Sequence, residues 1–146
     1  MKKKLLFLCT GNYYRSRFAE VLFNMLAQND ELSWSAFSRG LGVAEYGQNN
    51  VGPISPYARD GLAERGIDLE AEPRDPIQAI TTDFTEADLI IAVKESEHRP
   101  FMTQKFPQYA DQVEYWHIHD LNIASASEAL PILEGAVRGL IERLRA

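Results

Sequence analysis

Leu5-Leu6-Phe7-Leu8-Cys9-Thr10-Gly11-Asn12-Tyr13-Tyr14-Arg15-Ser16 decides how the whole chain is read. Lys4 to Leu8 is an apolar run of the kind found in a central parallel strand buried on both faces. It ends at Cys9, the single cysteine of the chain. Past Ser16, apolar residues at Phe18, Leu22, Met25 and Leu26 recur at helical spacing and predict an amphipathic helix over Arg15–Gln28, with Phe18, Leu22 and Met25 in the core. A strand, a Gly-containing loop and a helix N-terminus in that order make a site for an anion, because loop N–H groups and the helix dipole converge on it.

Working outward, Leu32 to Phe37 is a second strand. Ser38 to Ile54 is a loop with four glycines, long enough to suggest a binding loop or lid. Ser55-Pro56 opens a helix over Tyr57–Arg65 that stops at Gly66, and Glu70 to Pro76 is a further loop. Leu89-Ile90-Ile91-Ala92-Val93 is the third strand. Glu95–Phe106 reads as a helix that Pro100 must start or kink, and Val113–Ile118 as the fourth strand. Ser125 and Glu128 carry a capping-box pattern before a last helix with one apolar stripe.

Strands alternating with helices predict an α/β fold: a single domain over residues 1–146 with a four-stranded parallel sheet, flavodoxin-like winding and helices on both faces. Ligands of such sheets bind beyond the carboxyl ends of the strands. Cys9, Ser38, Lys94 and Asp120 all fall at or past those ends and are expected on one rim. Lys94 is read there as a solvated strand-end charge.

The chain has 146 residues, 25% of them charged, and a net charge of −6. That size suits one domain, and the acidity argues against nucleic acid or an anionic membrane surface as partner. The apolar run after Lys2-Lys3-Lys4 is too short for a signal peptide core or a spanning helix, so a cytoplasmic location is expected. One cysteine excludes a disulfide framework and a Cys-rich metal site. His117 and His119 alternate on a strand and with His98 make a poor ligand set, so no metal and no cofactor are expected.

A phosphate monoester is a dianion with a poor leaving group. Its cleavage needs charge neutralisation, an in-line nucleophile and a proton for the departing oxygen. Backbone amides of Thr10, Gly11, Asn12, Tyr13, Tyr14 and Arg15 can line a phosphate cradle, with the Arg15 fork gripping two oxygens. The same positive field favours the Cys9 thiolate, the nucleophilic form. Ser16 is placed to hydrogen-bond that thiolate. Gly11 fits where the backbone needs positive φ, and Asn12 tolerates the left-handed region and can brace the loop. Asp120 is the candidate general acid, worth about 10²–10⁴ in rate; the plain alternative is that it caps a turn. These residues point to a phosphatase working through a phosphocysteine, with phosphate or another oxyanion as the loop's ligand.

Cys9-Thr-Gly-Asn-Tyr-Tyr-Arg15-Ser16 directly after the first strand resembles the signature of the low-molecular-weight protein tyrosine phosphatases. The resemblance continues through Ala19-Glu20, Ser38, Gly66-Ile67-Asp68, Asp83-Phe84, Ala87-Asp88-Leu89-Ile90 and Asp120, nearly the whole chain. It implies a four-stranded parallel sheet, Cys9 as nucleophile, Arg15 as clamp, Asp120 as acid, Asn12, Ser16 and Ser38 as loop braces, and no metal. Tyr14 stands where the family usually has a second cysteine, Tyr13 where it has a smaller residue, Arg17 and Leu121 where it has proline, and Lys94 where Asp is common. Catalytic groups are kept while the substrate-facing shell is altered.

A phosphorylated protein or peptide is the expected substrate, with Tyr13 and Tyr46 offering aromatic walls to a phosphotyrosine ring. Phosphoarginine is the alternative, for which Thr10 is suited and Tyr13 is not. Arsenate reduction on this fold needs further cysteines to relay a disulfide, which this chain lacks. A phosphate- or phosphopeptide-binding module without turnover is the reading from outside enzymes.

Overall fold

The computed structural model describes residues 2–146. Strand β1 (Lys3–Cys9) leads through the Thr10–Tyr14 loop into helix α1 (Arg15–Asn29). Then follow β2 (Trp34–Gly40), a one-turn helix α2 (Val43–Tyr46), α3 (Pro56–Ala63), α4 (Thr81–Glu86), β3 (Leu89–Ala92), α5 (Glu95–Lys105), β4 (Glu114–Tyr115) and α6 (Ala126–Arg145). The sheet is all parallel, in the order β2-β1-β3-β4. β1 is therefore central, which explains its unbroken apolar run.

Alternation along β1 divides the core in two. Leu5, Phe7 and Cys9 face α1, α3 and α6, where Phe18, Leu22, Phe23, Leu62, Leu133 and Val137 are buried. Leu6 and Leu8 face α4 and α5, with Phe84, Met102 and Phe106. Met25 packs on the first core but is only partly buried.

Several expectations are corrected. β2 runs on to Gly40, in register with Cys9 of β1, so Ser38 lies within a strand rather than in the loop after one. α2 occupies part of that loop, and α4 is an element the sequence reading left out. Regular β4 pairing covers two residues, because this edge strand follows β3 irregularly: Trp116 N–H donates to Ala92 O, Ile118 N–H to Val93 O, and Glu95 N–H to Trp116 O. α5 passes through Pro100 instead of starting at it. Ser55 caps α3 as expected, accepting from Tyr57 N–H at 3.2 Å, and Gly66 follows that helix with φ +78°. At Ser125 the box is a side-chain pair, Ser125 Oγ to Glu128 Oε1 at 3.0 Å, without the serine capping the backbone. Among the described residues no helix is long and apolar enough to cross a membrane.

Candidate active site

Where β1 ends, β2 presses against the loop that follows. Leu41 N–H donates to Cys9 O and Gly42 N–H to Thr10 O, at 2.9 and 3.0 Å. The approach requires glycine at position 40, since a Cβ there would lie 2.7 Å from Thr10 O. The left-handed residue of the loop is Asn12, with φ +50°; Gly11 does not have positive φ, contrary to expectation. Asparagine is favoured because its side chain holds the turn as well as tolerating it.

Asn12 is fully buried. Its Nδ2 donates to Ser16 Oγ at 2.8 Å and to Ser38 Oγ at 2.9 Å. Its Oδ1 accepts from Ile77 N–H and from an Arg74 Nη1, both at 3.0 Å. Ser38 in turn donates to Glu20 Oε1 at 2.6 Å and accepts from Arg74 Nη2 at 3.0 Å. Ser16 Oγ lies 2.9 Å from the buried Cys9 Sγ. With Asn12 donating to that oxygen, the serine proton is free to point at sulfur, where it stabilises a thiolate.

Two arginines absent from the expected site complete this support. Arg17, buried on α1, donates to the carbonyls of Asn12, Pro53 and Arg74 at 3.3, 2.9 and 2.7 Å. Burial pulls its pKa down to about 10, and the nearby Arg74 charge adds to the shift. Arg74 comes from the loop before α4, and its Nη2 also meets Glu20 at 3.1 Å.

Arg15, the first residue of α1, is 2% exposed. Its Nη1 donates to Ile118 O at 2.9 Å and Glu97 Oε1 at 3.2 Å, and its Nη2 donates to Glu97 Oε2 at 2.7 Å. The Asp120 carboxylate stands 3.5 Å from the same Nη2. Burial alone would lower the guanidinium pKa, but the Glu97 hydrogen bonds and the Cys9 and Asp120 charges outweigh it and raise it. Glu97, on the first turn of α5, also accepts from Thr10 Oγ1 at 2.5 Å and lies 3.1 Å from His98 Nε2. Burial opposes its ionisation, yet bonds from His98 and Arg15 hold its carboxyl well below the usual range. His98 is fully buried, and its Nδ1 accepts the Lys94 N–H at 3.1 Å. Burial lowers its pKa against the pull of Glu97.

These groups meet at a cavity of about 720 Å³ lined by Cys9, Thr10, Gly11, Tyr13, Tyr14, Arg15, Tyr46, Lys94, Glu97, Phe101, Asp120 and Leu121, among others. Asn12, Ser16 and Ser38 stand behind the loop instead. Tyr13 donates to Val51 O at 2.5 Å. Tyr14 is 5% exposed with no hydrogen-bond partner for its hydroxyl among the described residues. Burial, helped by the Asp120 charge, pushes its pKa up to about 12. Tyr46 sits edge-on to Phe101 with centroids 5.7 Å apart. Asp120 faces the cavity and also closes a turn, its carbonyl accepting from Ile123 and Ala124 N–H. Lys94 is 7% exposed, not a solvated strand-end charge: pairing around Lys94 and His117 folds its stem into the wall.

Glu97 and Arg74 escaped the sequence reading, which named Arg17 only as a departure from the family pattern and His98 only as a poor metal ligand. The signal for Glu97 was present: an acid is expected at the end of β3, position 94 is lysine, and a carboxylate one helical turn on reaches the site. No group of three or more His, Cys, Asp or Glu side chains suited to a metal occurs among the described residues.

Chemically, the arrangement joins a buried thiol, a hydroxyl aimed at it, a guanidinium and a carboxylate around one anion-sized loop. The chain matches the family model described as low molecular weight phosphotyrosine protein phosphatase over residues 4–144. It is 30% identical over 110 residues to a protein-arginine-phosphatase of Bacillus subtilis, covering 75% of this chain and 67% of that one. It is 30% identical over 119 residues to an arsenate reductase of Brevibacillus brevis, covering 82% and 77%. The crystal structure of a low molecular weight protein tyrosine phosphatase from T. tengcongensis superposes with a TM-score of 0.78 at 27% identity, covering 97% of this chain and 99% of that one. The loop signature, the parallel sheet and the match along nearly its whole length make this chain a member of the low molecular weight phosphotyrosine protein phosphatase family, a phosphatase acting on phosphorylated substrates.

Proposed function

We propose that the protein is a protein tyrosine phosphatase acting through a phosphocysteine on Cys9. The observation that supports this best is the 2.9 Å approach of Ser16 Oγ to Cys9 Sγ at the head of a loop braced by Asn12. The thiolate attacks phosphorus in line, the loop amides and Arg15 hold the non-bridging oxygens, and Asp120 protonates the leaving oxygen. Water then attacks the phosphocysteine, with Asp120 as base and Ser16 stabilising the departing thiolate. Tyr13, Tyr46 and Phe101 supply aromatic contact area for a phosphotyrosine ring.

Phosphoarginine is the second reading, favoured by the similarity to the Bacillus arginine phosphatase and by the Asp120 carboxylate beside the cavity, a partner for a guanidinium leaving group. Arsenate reduction is disfavoured by the single cysteine. The test is turnover of phosphotyrosine, phosphoarginine and phosphoserine peptides by wild type and Cys9→Ser. Fastest release from phosphotyrosine, lost in Cys9→Ser, is expected. Preference for phosphoarginine selects the second reading, and phosphate binding without turnover makes the protein a binding module.

A further inference from the structure

Arg15 carries five N–H donors, and what the protein does with them is uneven. Nη1 uses both of its hydrogens, on Ile118 O and Glu97 Oε1, and Nη2 gives one to Glu97 Oε2. Those three bonds consume the outer edge of the guanidinium. The Nε–H and the remaining Nη2 hydrogen form the lateral edge. Among the described residues Nε donates to nothing, while Asp120 Oδ2 stands at 3.5 Å from Nη2 as a longer ion pair. A guanidinium can bind one carboxylate end-on and a second oxyanion side-on at the same time, because the two edges lie at an angle in one plane.

We infer, resting on the proposed phosphate chemistry, that Glu97 is the positioning residue of the clamp: it grips the outer edge of Arg15 so that the free lateral fork meets phosphate in the loop. Glu97 is itself held. His98 accepts the Lys94 N–H on Nδ1 at 3.1 Å, which places its proton on Nε2, where it meets Thr10 Oγ1 at 3.1 Å with Glu97 Oε2 equally near. Thr10 Oγ1 donates to the same oxygen at 2.5 Å. Lys94 precedes α5 and Thr10 belongs to the loop, so the chain Lys94–His98–Thr10–Glu97–Arg15 ties the helix N-terminus and the loop to the guanidinium. The alternative is that Glu97 is an internal occupant that phosphate must displace. The unused Nε edge argues against it, because phosphate and Glu97 need not compete for the same hydrogens.

The sign of one substitution separates these accounts. Glu97→Gln removes a negative charge beside the anion site. If Glu97 were an occupant, or acted only through its field, inorganic phosphate would bind more tightly in the variant. If it positions Arg15, the amide turns donors toward donors, the guanidinium loses its alignment, and binding weakens.

The experiment begins with wild type, measuring inorganic phosphate as a competitive inhibitor of p-nitrophenyl phosphate turnover and by direct calorimetry. Absence of binding there would defeat the functional reading itself, before any variant is made. Given binding, Glu97→Gln is expected to raise the phosphate Ki about tenfold or more and to raise KM, beyond the lowered thermal midpoint that follows from losing its ion pair with Arg15. A lower Ki, or an unchanged Ki with only a lower midpoint, overturns the inference. Should the variant not fold, nitrogen-15 spectra of wild-type Arg15 decide: phosphate is expected to shift the Nε–H resonance while Glu97 carboxyl carbon stays put. Movement of that carbon with phosphate marks displacement and overturns it.

Discussion

Asn12 Nδ2 donates to Ser16 Oγ at 2.8 Å, and this bond leaves the serine proton free for Cys9. With its oxygen already accepting, Ser16 can turn its hydrogen toward Cys9 Sγ, 2.9 Å away. One residue thus joins the bend of the loop to the state of the nucleophile. It does so from a left-handed backbone that few side chains accept.

Asn12 should therefore be sensitive in two separable ways. Asn12→Gly keeps the backbone conformation but loses the bonds to Ser16, Ser38, Arg74 and Ile77. Asn12→Ala loses the bonds and also meets the left-handed penalty. Urea denaturation should place Ala about 1 kcal/mol below Gly, while both fall at least about tenfold in kcat/KM, equivalent to about 1.4 kcal/mol. Equal stability of the two variants would remove the conformational half of the argument.

Asp120 is 44% exposed at its side chain and lies beside Arg15, which in the proposed mechanism suits the leaving group rather than the phosphoryl oxygens. A general acid matters most where the leaving group is poor. Asp120→Asn should slow an alkyl-substituted phenyl phosphate about 10²-fold or more and p-nitrophenyl phosphate far less. Equal losses on both, read from kcat across a leaving-group series, would take the acid role from this residue.

Arg17 replaces a proline expected from the resemblance and binds three carbonyls from three segments. Arg17→Met fills the space but leaves one buried and two part-buried acceptors without their donors, at about 1–3 kcal/mol for each fully unsatisfied group before relaxation. The expected result is a loss of about 2–4 kcal/mol in urea denaturation, with Arg17→Lys intermediate because it lacks the planar fork. A loss below about 0.5 kcal/mol would mean that water satisfies the carbonyls instead.

The parts of the molecule that local pattern specifies were readable before the structure. The apolar run of β1, the periodicity of α1 and the proline after Ser55 each report a neighbourhood of a few residues. That Cys9, Arg15, Ser16 and Asp120 come together was readable the same way, because a loop and a strand end put them where the fold converges. The roles of Glu97, His98, Arg17 and Arg74 were not. Their roles depend on contacts across long stretches, such as Arg15 with Glu97, 82 residues apart, and Arg74 with Asn12, 62 apart. No periodicity distinguishes such charges from solvated ones. Lys94 erred in the same direction, since a lysine at a strand end reads as solvated until the β4 edge folds over it. Asn12 was expected to tolerate the left-handed region and does; at Gly11 the ordinary preference of glycine for positive φ misled, because the asparagine carries bonds that glycine cannot make.

His98 gives the molecule a dependence on pH whose sign follows from burial. Its pKa is lowered from 6.5, first by burial, which the Glu97 bond only partly offsets. Below about pH 6.5 the unfolded chain therefore binds a proton that the native chain refuses, and stability falls with acid. Above that pH the contribution is constant. The slope attributable to this one site approaches about 1.4 kcal/mol per pH unit at most. Glu97 acts lower: its pKa is depressed, so its contribution is present above the unfolded carboxylate value of 4.5 and is lost as pH falls below it. Urea denaturation between pH 5 and pH 8 should show the first loss, and the difference between wild type and His98→Gln should isolate it from His117 and His119. Glutamine retains a donor for Glu97 without a titratable ring, so the variant's curve should be flatter between pH 5 and 6.5 and should still fall below 4.5. Parallel curves for the two proteins would mean that His98 can take up its proton in the native state, which a fully buried ring whose Nδ1 already accepts the Lys94 amide should not.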